Sequence, residues 1–354
     1  MNDLYKAKIG NASNEIFALF MAKIYDKLPE SKLGQFSKLK FIQGTNFDKF
    51  KDYFKAKYLG GFVVPGDTFD NVKGGFPIGF TIWDLEHKIK LENIICDLYN
   101  ETSKYIGVKT YYGEPQRSIN KWIKIFDAKI NKGYGLLVSC APDFQHNKQL
   151  AILTKQQARY CFIINQSNII QFSIYFSVRQ CIEATWLNDR DQFLYPNDGW
   201  STDAEFQNDC LAFALFHGQN RISSKEGTNH WIPFTEQEVD AREKFESNFM
   251  TQYIKGKLGK DGHQTGKDVP HVGKDGLQIE KDVQHLAGVG HLEEMELFQS
   301  ETNSFQSRTT PLEFSPEALE VFEAGRKLWR YYHKCIKTHK NPSQTLPKGE
   351  GFKN

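Results

Sequence analysis

The chain has 354 residues, 40% of them hydrophobic, enough to bury a substantial core and, on length, to form about two domains. Its 45 Lys and Arg nearly balance 43 Asp and Glu, and the net charge of +2 excludes a global attraction to nucleic acid, so any such affinity must come from local patches. No apolar run reaches the ~20 residues that span a bilayer, no leader-like segment opens the chain, and the six cysteines lack a Cys-x-x-Cys pair, so the expectation is a cytoplasmic protein with free thiols, no membrane partner and no metal.

The first elements read as α/β. From Asn14 to Leu28, Ile16, Phe17, Phe20, Ile24 and Leu28 recur at the spacing of one helical face, with Asn11 and Ser13 available as caps. A short strand is expected around Leu39 to Ile42. A second helix follows, with Phe47, Phe50, Phe54 and Tyr58 on one stripe, and Gly60 and Gly61 are expected to stop it. Two apolar runs, Phe62 to Val64 and Ile78 to Trp83, read as strands. The Gly, Asp, Asn and Lys residues between them predict a hairpin tip, the kind of exposed loop that carries functional side chains.

From Glu86 to Gly256 the texture changes to mixed α+β, with short β runs expected at Tyr160 to Ile164 and Ile169 to Val178. Within it, Asn220 and Arg221 offer side chains of the kind that read base edges, although a loop of such residues is also simply solvated. Residues 259 to 286 are a tandem heptapeptide repeat (GKDGHQT, GKDVPHV, GKDGLQI, EKDVQHL) whose Gly, Pro and polar content predicts disorder. Its histidines lack the regular spacing and the Cys or carboxylate partners of a metal tract. Ser315 and Pro316 then predict a helix start. Arg326, Lys327 and Arg330 make that helix locally basic, which suits either phosphate contact or a solvated face near a helix C-terminus. The tail from Lys340 is expected to be disordered.

Five stretches carry a family resemblance: GGFVVPGDTFDNVKGGFPIGFTIWDL (Gly60 to Leu85), Ser13 to Phe20, Gly218 to Ile222, Thr228 to Phe234, and more thinly Glu323 to His333. They resemble the late part of bacterial restriction-modification adenine-specific (N6) DNA methyltransferases. The resemblance implies an incomplete Rossmann-like sheet with its last strand inserted antiparallel over residues 1–85, then a target-recognition-like region over 86–256. The repeat and linker would fill 257–312, the basic helix 313–339 and the tail 340–354. It further implies that Phe76, with Phe80 as second choice, stacks on the flipped adenine, because a base taken out of its helix needs a new stacking partner. Period-two alternation alternatively puts Phe80 and Ile82 on the inward face of their strand. Lys73 would reach a phosphate beside Phe76, and Asn14 and Phe17 would edge the cofactor pocket; capping and core packing are the alternative roles of this last pair.

The motifs for the chemistry itself are absent from the 354 residues. No strand leads into a Gly-x-Gly turn before Asn14 to grip S-adenosylmethionine, and the only Asn-Pro, Asn341-Pro342, is followed by Ser343. In the family both motifs lie upstream of the position matching Asn11. The expectation is therefore the C-terminal part of such an enzyme, with no catalytic residue of its own, binding S-adenosylmethionine only when complemented by an N-terminal methyltransferase polypeptide, and acting on double-stranded DNA. A non-catalytic DNA-binding or specificity protein is the alternative. A nuclease is disfavoured, since no convincing Asp…Glu-x-Lys arrangement is found outside the low-complexity repeat.

Overall fold

The computed structural model describes residues 2–113, 119–127, 133–138, 149–154, 161–183, 185–188, 198–222, 230–242, 244–258 and 310–337. They fall into two compact units, one holding the described residues of 2–124 and 179–188, the other those of 125–138, 149–178 and 198–337. The heptapeptide repeat and the tail lie outside the described residues.

The first unit is mixed α/β. In chain order it contains helices α1 (Asn2–Ile9) and α2 (Ile16–Lys27), strand β1 (Lys32–Lys38), short helices α3 (Lys40–Gln43) and α4 (Asp48–Tyr53), strands β2 (Ala56–Pro65), β3 (Pro77–Lys88), β4 (Asn93–Tyr99) and β5 (Tyr105–Tyr112), and helix α5 (Ile119–Ile125), which ends at the boundary of the second unit. The five strands form one sheet in the order β1-β3-β2-β4-β5. β3 lies antiparallel between β1 and β2, with Phe80 opposite both Phe36 and Phe62. β4 runs parallel to β2, and β5 returns antiparallel to β4.

Alternation along β3 divides the sheet into two faces. Trp83 and Leu85 join Ile9, Met21, Phe41, Phe50 and Phe54 from the helical layer in one buried core. The Trp83 indole N–H donates to Thr81 Oγ1 at 2.8 Å, so these two polar groups enter the core paired. The other face carries a row of aromatic rings, one per strand: Phe36, Phe80, Phe62, Tyr99 and Tyr105, with successive centroids 4.8, 5.6, 5.9 and 5.7 Å apart. Phe36 and Tyr105 at its ends are 51% and 53% exposed. Phe80 and Ile82 thus face away from the helical layer, and the inward positions belong to Gly79, Thr81, Trp83 and Leu85.

Several local expectations change. The first strand is Lys32–Lys38, and residues 40–43 form a helical turn instead. The helix at α2 forms, but it buries Ala18, Met21 and Ala22, while Ile16, Phe20 and Leu28 stay exposed, and its start carries no side-chain cap. The second helix ends at Tyr53; Tyr58, Gly60 and Gly61 belong to β2. Gly61 sits there because β3 passes close by, not because a helix stops. The sheet also runs past Leu85 through β4 and β5, so the first unit extends beyond the boundary expected at that residue.

The second unit contains a three-stranded antiparallel sheet, β7-β6-β8, from β6 (Gly135–Val138), β7 (Ala151–Leu153) and β8 (Cys161–Ile164). Helices α6 (Ile169–Cys181), α7 (Ala204–Phe216), α8 (Phe249–Ile254) and α9 (Pro316–Lys337) follow. The run Ile169 to Val178, expected as β, is the helix α6: a continuous apolar run carries no period that separates a buried helix from a buried strand. α9 starts where expected, with Ser315 Oγ accepting from the Ala318 amide at 3.1 Å. Its Gly325 lies against Phe216 of α7, where a β-carbon would come within 2.4 Å of the ring. Phe322 and Ala318 complete a core with Ala212, Ile232, Phe234 and Val239. None of the described helices is long and apolar enough to cross a membrane.

Candidate functional site

β1 and β2 are both antiparallel to β3, and β4 is parallel to β2, so β1, β2 and β4 point the same way. Their carboxyl ends, Lys38, Pro65 and Tyr99, therefore share one edge of the sheet with Pro77, the first residue of β3. The carboxyl edge is where open α/β sheets place their ligand sites. The loop 66–76, between β2 and β3, stands on that edge.

The loop is built locally. Its two ends are tied by the Gly66 amide donating to the Phe76 carbonyl at 2.9 Å, and Asn71 and Gly74 take positive φ values of 63° and 136°. Phe69 packs edge-on against Phe36 at 5.5 Å, which fastens the loop to the aromatic row. Phe76 is half-buried, and its ring is enclosed by backbone: a β-carbon on Gly74 would lie 2.7 Å from Cε1, and one on Gly66 would lie 3.1 Å from Cε2. The Lys38 ammonium lies 4.0 Å from the ring centroid. Lys73 is exposed in the same loop.

Asn14 and the start of α2 come to this end of the unit. Glu15 pairs with Lys40, two residues beyond the end of β1. Asn14 is exposed at the end of a short 3-10 turn, Gly10–Asn14. Phe17 turns inward, stacked on Phe47 at 5.9 Å and edge-on to Phe41 at 6.1 Å, and is thus a packing residue that anchors the segment. Lys73 and Phe76 thus share the loop at the carboxyl edge, Asn14 precedes the Glu15 that pairs with Lys40, and Phe80 lies within the aromatic row on the sheet face.

Neither of two other chemical groups in this unit adds a reactive centre. Cys96 is buried beside Tyr58, whose hydroxyl lies 3.1 Å from its sulfur and 2.9 Å from the Ile95 carbonyl; burial pushes the thiol up to about 11, so it stays protonated at neutral pH. Asp84, Glu86 and His87 gather at the opposite edge, with His87 Nδ1 2.9 Å from Asp84 Oδ2. Glu86 and His87 are exposed, and this group alone defines no metal site.

In the second unit, Asn220 and Arg221 follow α7. The Asn220 amide donates to the Ala214 carbonyl at 3.0 Å and so closes the helix end, while exposed Arg221 bonds Gln219 Oε1 at 2.6 Å. His230, Trp231 and Phe234 are structural: the Trp231 indole donates to the Tyr134 carbonyl at 2.8 Å, and His230 Nδ1 meets Ser247 Oγ at 2.6 Å. On α9, Arg326 pairs with Glu323 and lies over the Phe234 ring at 5.4 Å. Arg330 Nε donates to the Glu238 carbonyl at 2.7 Å. Lys327 and Arg330 are exposed, and Arg326 is half-buried.

Lys38 is the residue that sequence reasoning missed. As the last residue of a strand at the ligand edge it carries a recognisable signal, but that signal depends on placing the strand at 32–38. No family model, curated protein or solved structure matches the chain.

Proposed function

We propose that this protein is the C-terminal part of a DNA N6-adenine methyltransferase of a restriction-modification system. In this reading it supplies the sheet that ends the catalytic domain and the aromatic wall of the base pocket. The glycine-rich turn and the Asn-Pro-Pro-Tyr-type loop, which the 354 residues do not contain, come from a complementing polypeptide. The reading is supported above all by one relationship: the loop bearing Phe76 stands at the carboxyl edge of β1, β2 and β4, while its following strand, β3, is inserted antiparallel between β1 and β2. An antiparallel strand beside parallel neighbours is compatible with the arrangement the family resemblance implies. The exposed Asn14 near the same edge suits the rim of an adjoining cofactor pocket.

The chemistry then divides between two polypeptides. S-adenosylmethionine and the target amine are held by the complementing part, and Phe76 offers the flipped adenine a ring to stack on, which replaces the neighbours lost on extrusion. Arg221, Lys73 and Lys327, exposed and basic, serve as phosphate contacts in duplex DNA and give binding that falls with salt. Transfer of a labelled methyl group from S-adenosylmethionine to adenine N6 in duplex DNA tests the reading. The chain mixed with a polypeptide carrying both missing motifs should be active, and neither component alone should be. Activity of the lone chain, or a mixture that binds DNA tightly without methylating it, would overturn the proposal, the latter in favour of a specificity protein.

A further inference from the structure

Phe76 is not an open platform. Its ring is bounded by the backbone at Gly74 on the Cδ1–Cε1 side and at Gly66 on the Cε2 side, and the Lys38 ammonium is centred 4.0 Å from the ring. A base stacked in van der Waals contact with the ring face that Lys38 covers needs the space that this ammonium holds. The two cannot share it.

We infer that Lys38 is a positioning residue that keeps the Phe76 ring face covered in the base-free state and is displaced by an incoming adenine. This rests on the reading of Phe76 as the base-stacking side chain. The physical grounds are local. The tie between the Gly66 amide and the Phe76 carbonyl holds the backbone at the base of the ring, and the backbone at Gly74 and Gly66 lies close enough to crowd its edges. Lys38 ends β1, is exposed, and reaches the ring on a flexible stem, so it can leave at little cost. An ammonium over a phenyl ring at a partly exposed site is held weakly. That is strong enough to exclude chance apolar contacts and weak enough for a stacking purine to replace. Once displaced, the amine is free to meet a DNA phosphate beside the extruded nucleotide.

The test uses the full chain and adenosine as the probe, with binding followed by the chemical shifts of the adenosine protons, which every variant can report. Lys38→Ala should bind adenosine about two- to fivefold more tightly than the wild-type chain, the effect of removing one weak cation–π competitor. Lys38→Arg, which keeps a cation over the ring, should behave as wild type. Phe76→Ala should abolish binding in either background. A Lys38→Ala chain that binds adenosine no better than wild type, or not at all, overturns the placeholder role. If in addition Phe76→Ala leaves adenosine binding unchanged, the base-stacking reading of Phe76 fails as well, so the two failures are distinguished. Unchanged circular dichroism and melting of the Lys38 variants separates either result from misfolding.

Discussion

A β-carbon on Gly61 would lie 2.3 Å from the carbonyl oxygen of Phe80. The two strands that carry the loop 66–76 therefore meet at a point where no side chain fits, and the offending atom is backbone, which cannot swing aside. Gly61→Ala should destabilise the protein by about 1–3 kcal/mol, the usual cost of forcing extra volume into a packed site. Urea denaturation followed by Trp fluorescence measures it, and a change below a few tenths of a kcal/mol would show that the strands separate there without strain.

Arg326 and Arg330 fasten α9 to its own unit, the first over Phe234 and the second through the Glu238 carbonyl. Replacing both by Ala should lower the melting temperature and leave the salt dependence of DNA binding nearly unchanged. Lys327→Ala should do the reverse, weakening binding alike for every sequence and flattening the salt slope by about one phosphate contact. Equal effects of the two variants on the salt slope would restore a continuous basic face on this helix.

Asp26 accepts from Lys8 at 2.7 Å and from the Tyr53 hydroxyl. Burial pushes its carboxyl upward, but these two hydrogen bonds and the Lys8 charge outweigh it and hold the group below the ordinary aspartate value. A depressed folded-state pKa stabilises above the unfolded value, and that stabilisation is lost as pH falls through the folded value. Asp26→Asn should therefore melt at a lower temperature than wild type at neutral pH. The difference should close from about pH 5 downward as wild-type Asp26 is protonated. A difference that stays constant across this range would mean that shape rather than charge is at work.

The parts of this fold that sequence reveals are those whose signals are local. The strands around Phe62 to Val64 and Ile78 to Trp83, the hairpin between them and the Ser315-capped start of α9 all form, because turn chemistry, alternation and capping act within a few residues. The β1 strand is less legible. Lys32–Lys38 mixes Lys, Gly, Gln and Ser, and it is held in the sheet by β3 rather than by its own pattern. For α2, the apolar stripe of Ile16 and Phe20 points outward because the tight approach of the helix favours Ala18 and Ala22 inside, a choice made by packing and invisible to periodicity. At the candidate site, the loop is legible from its composition, whereas the choice of Phe76 and Lys73 within it comes from the family resemblance. The contact of Lys38 with Phe76 joins residues distant in sequence, and only the sheet order brings them together.

The most direct measurement of the proposed function is the methylation rate of the two-part mixture with wild-type and Phe76→Ala chains on the same duplex DNA. Loss of a base–aromatic stack costs about 1–3 kcal/mol. Phe76→Ala should therefore slow labelled-methyl incorporation into adenine by at least about fivefold, with the chain still folded and still associated with the complementing polypeptide. Full methylation by the Phe76→Ala mixture would contradict the placement of the base pocket on this loop, and the absence of methylation even with the wild-type chain would contradict the assignment as an adenine methyltransferase.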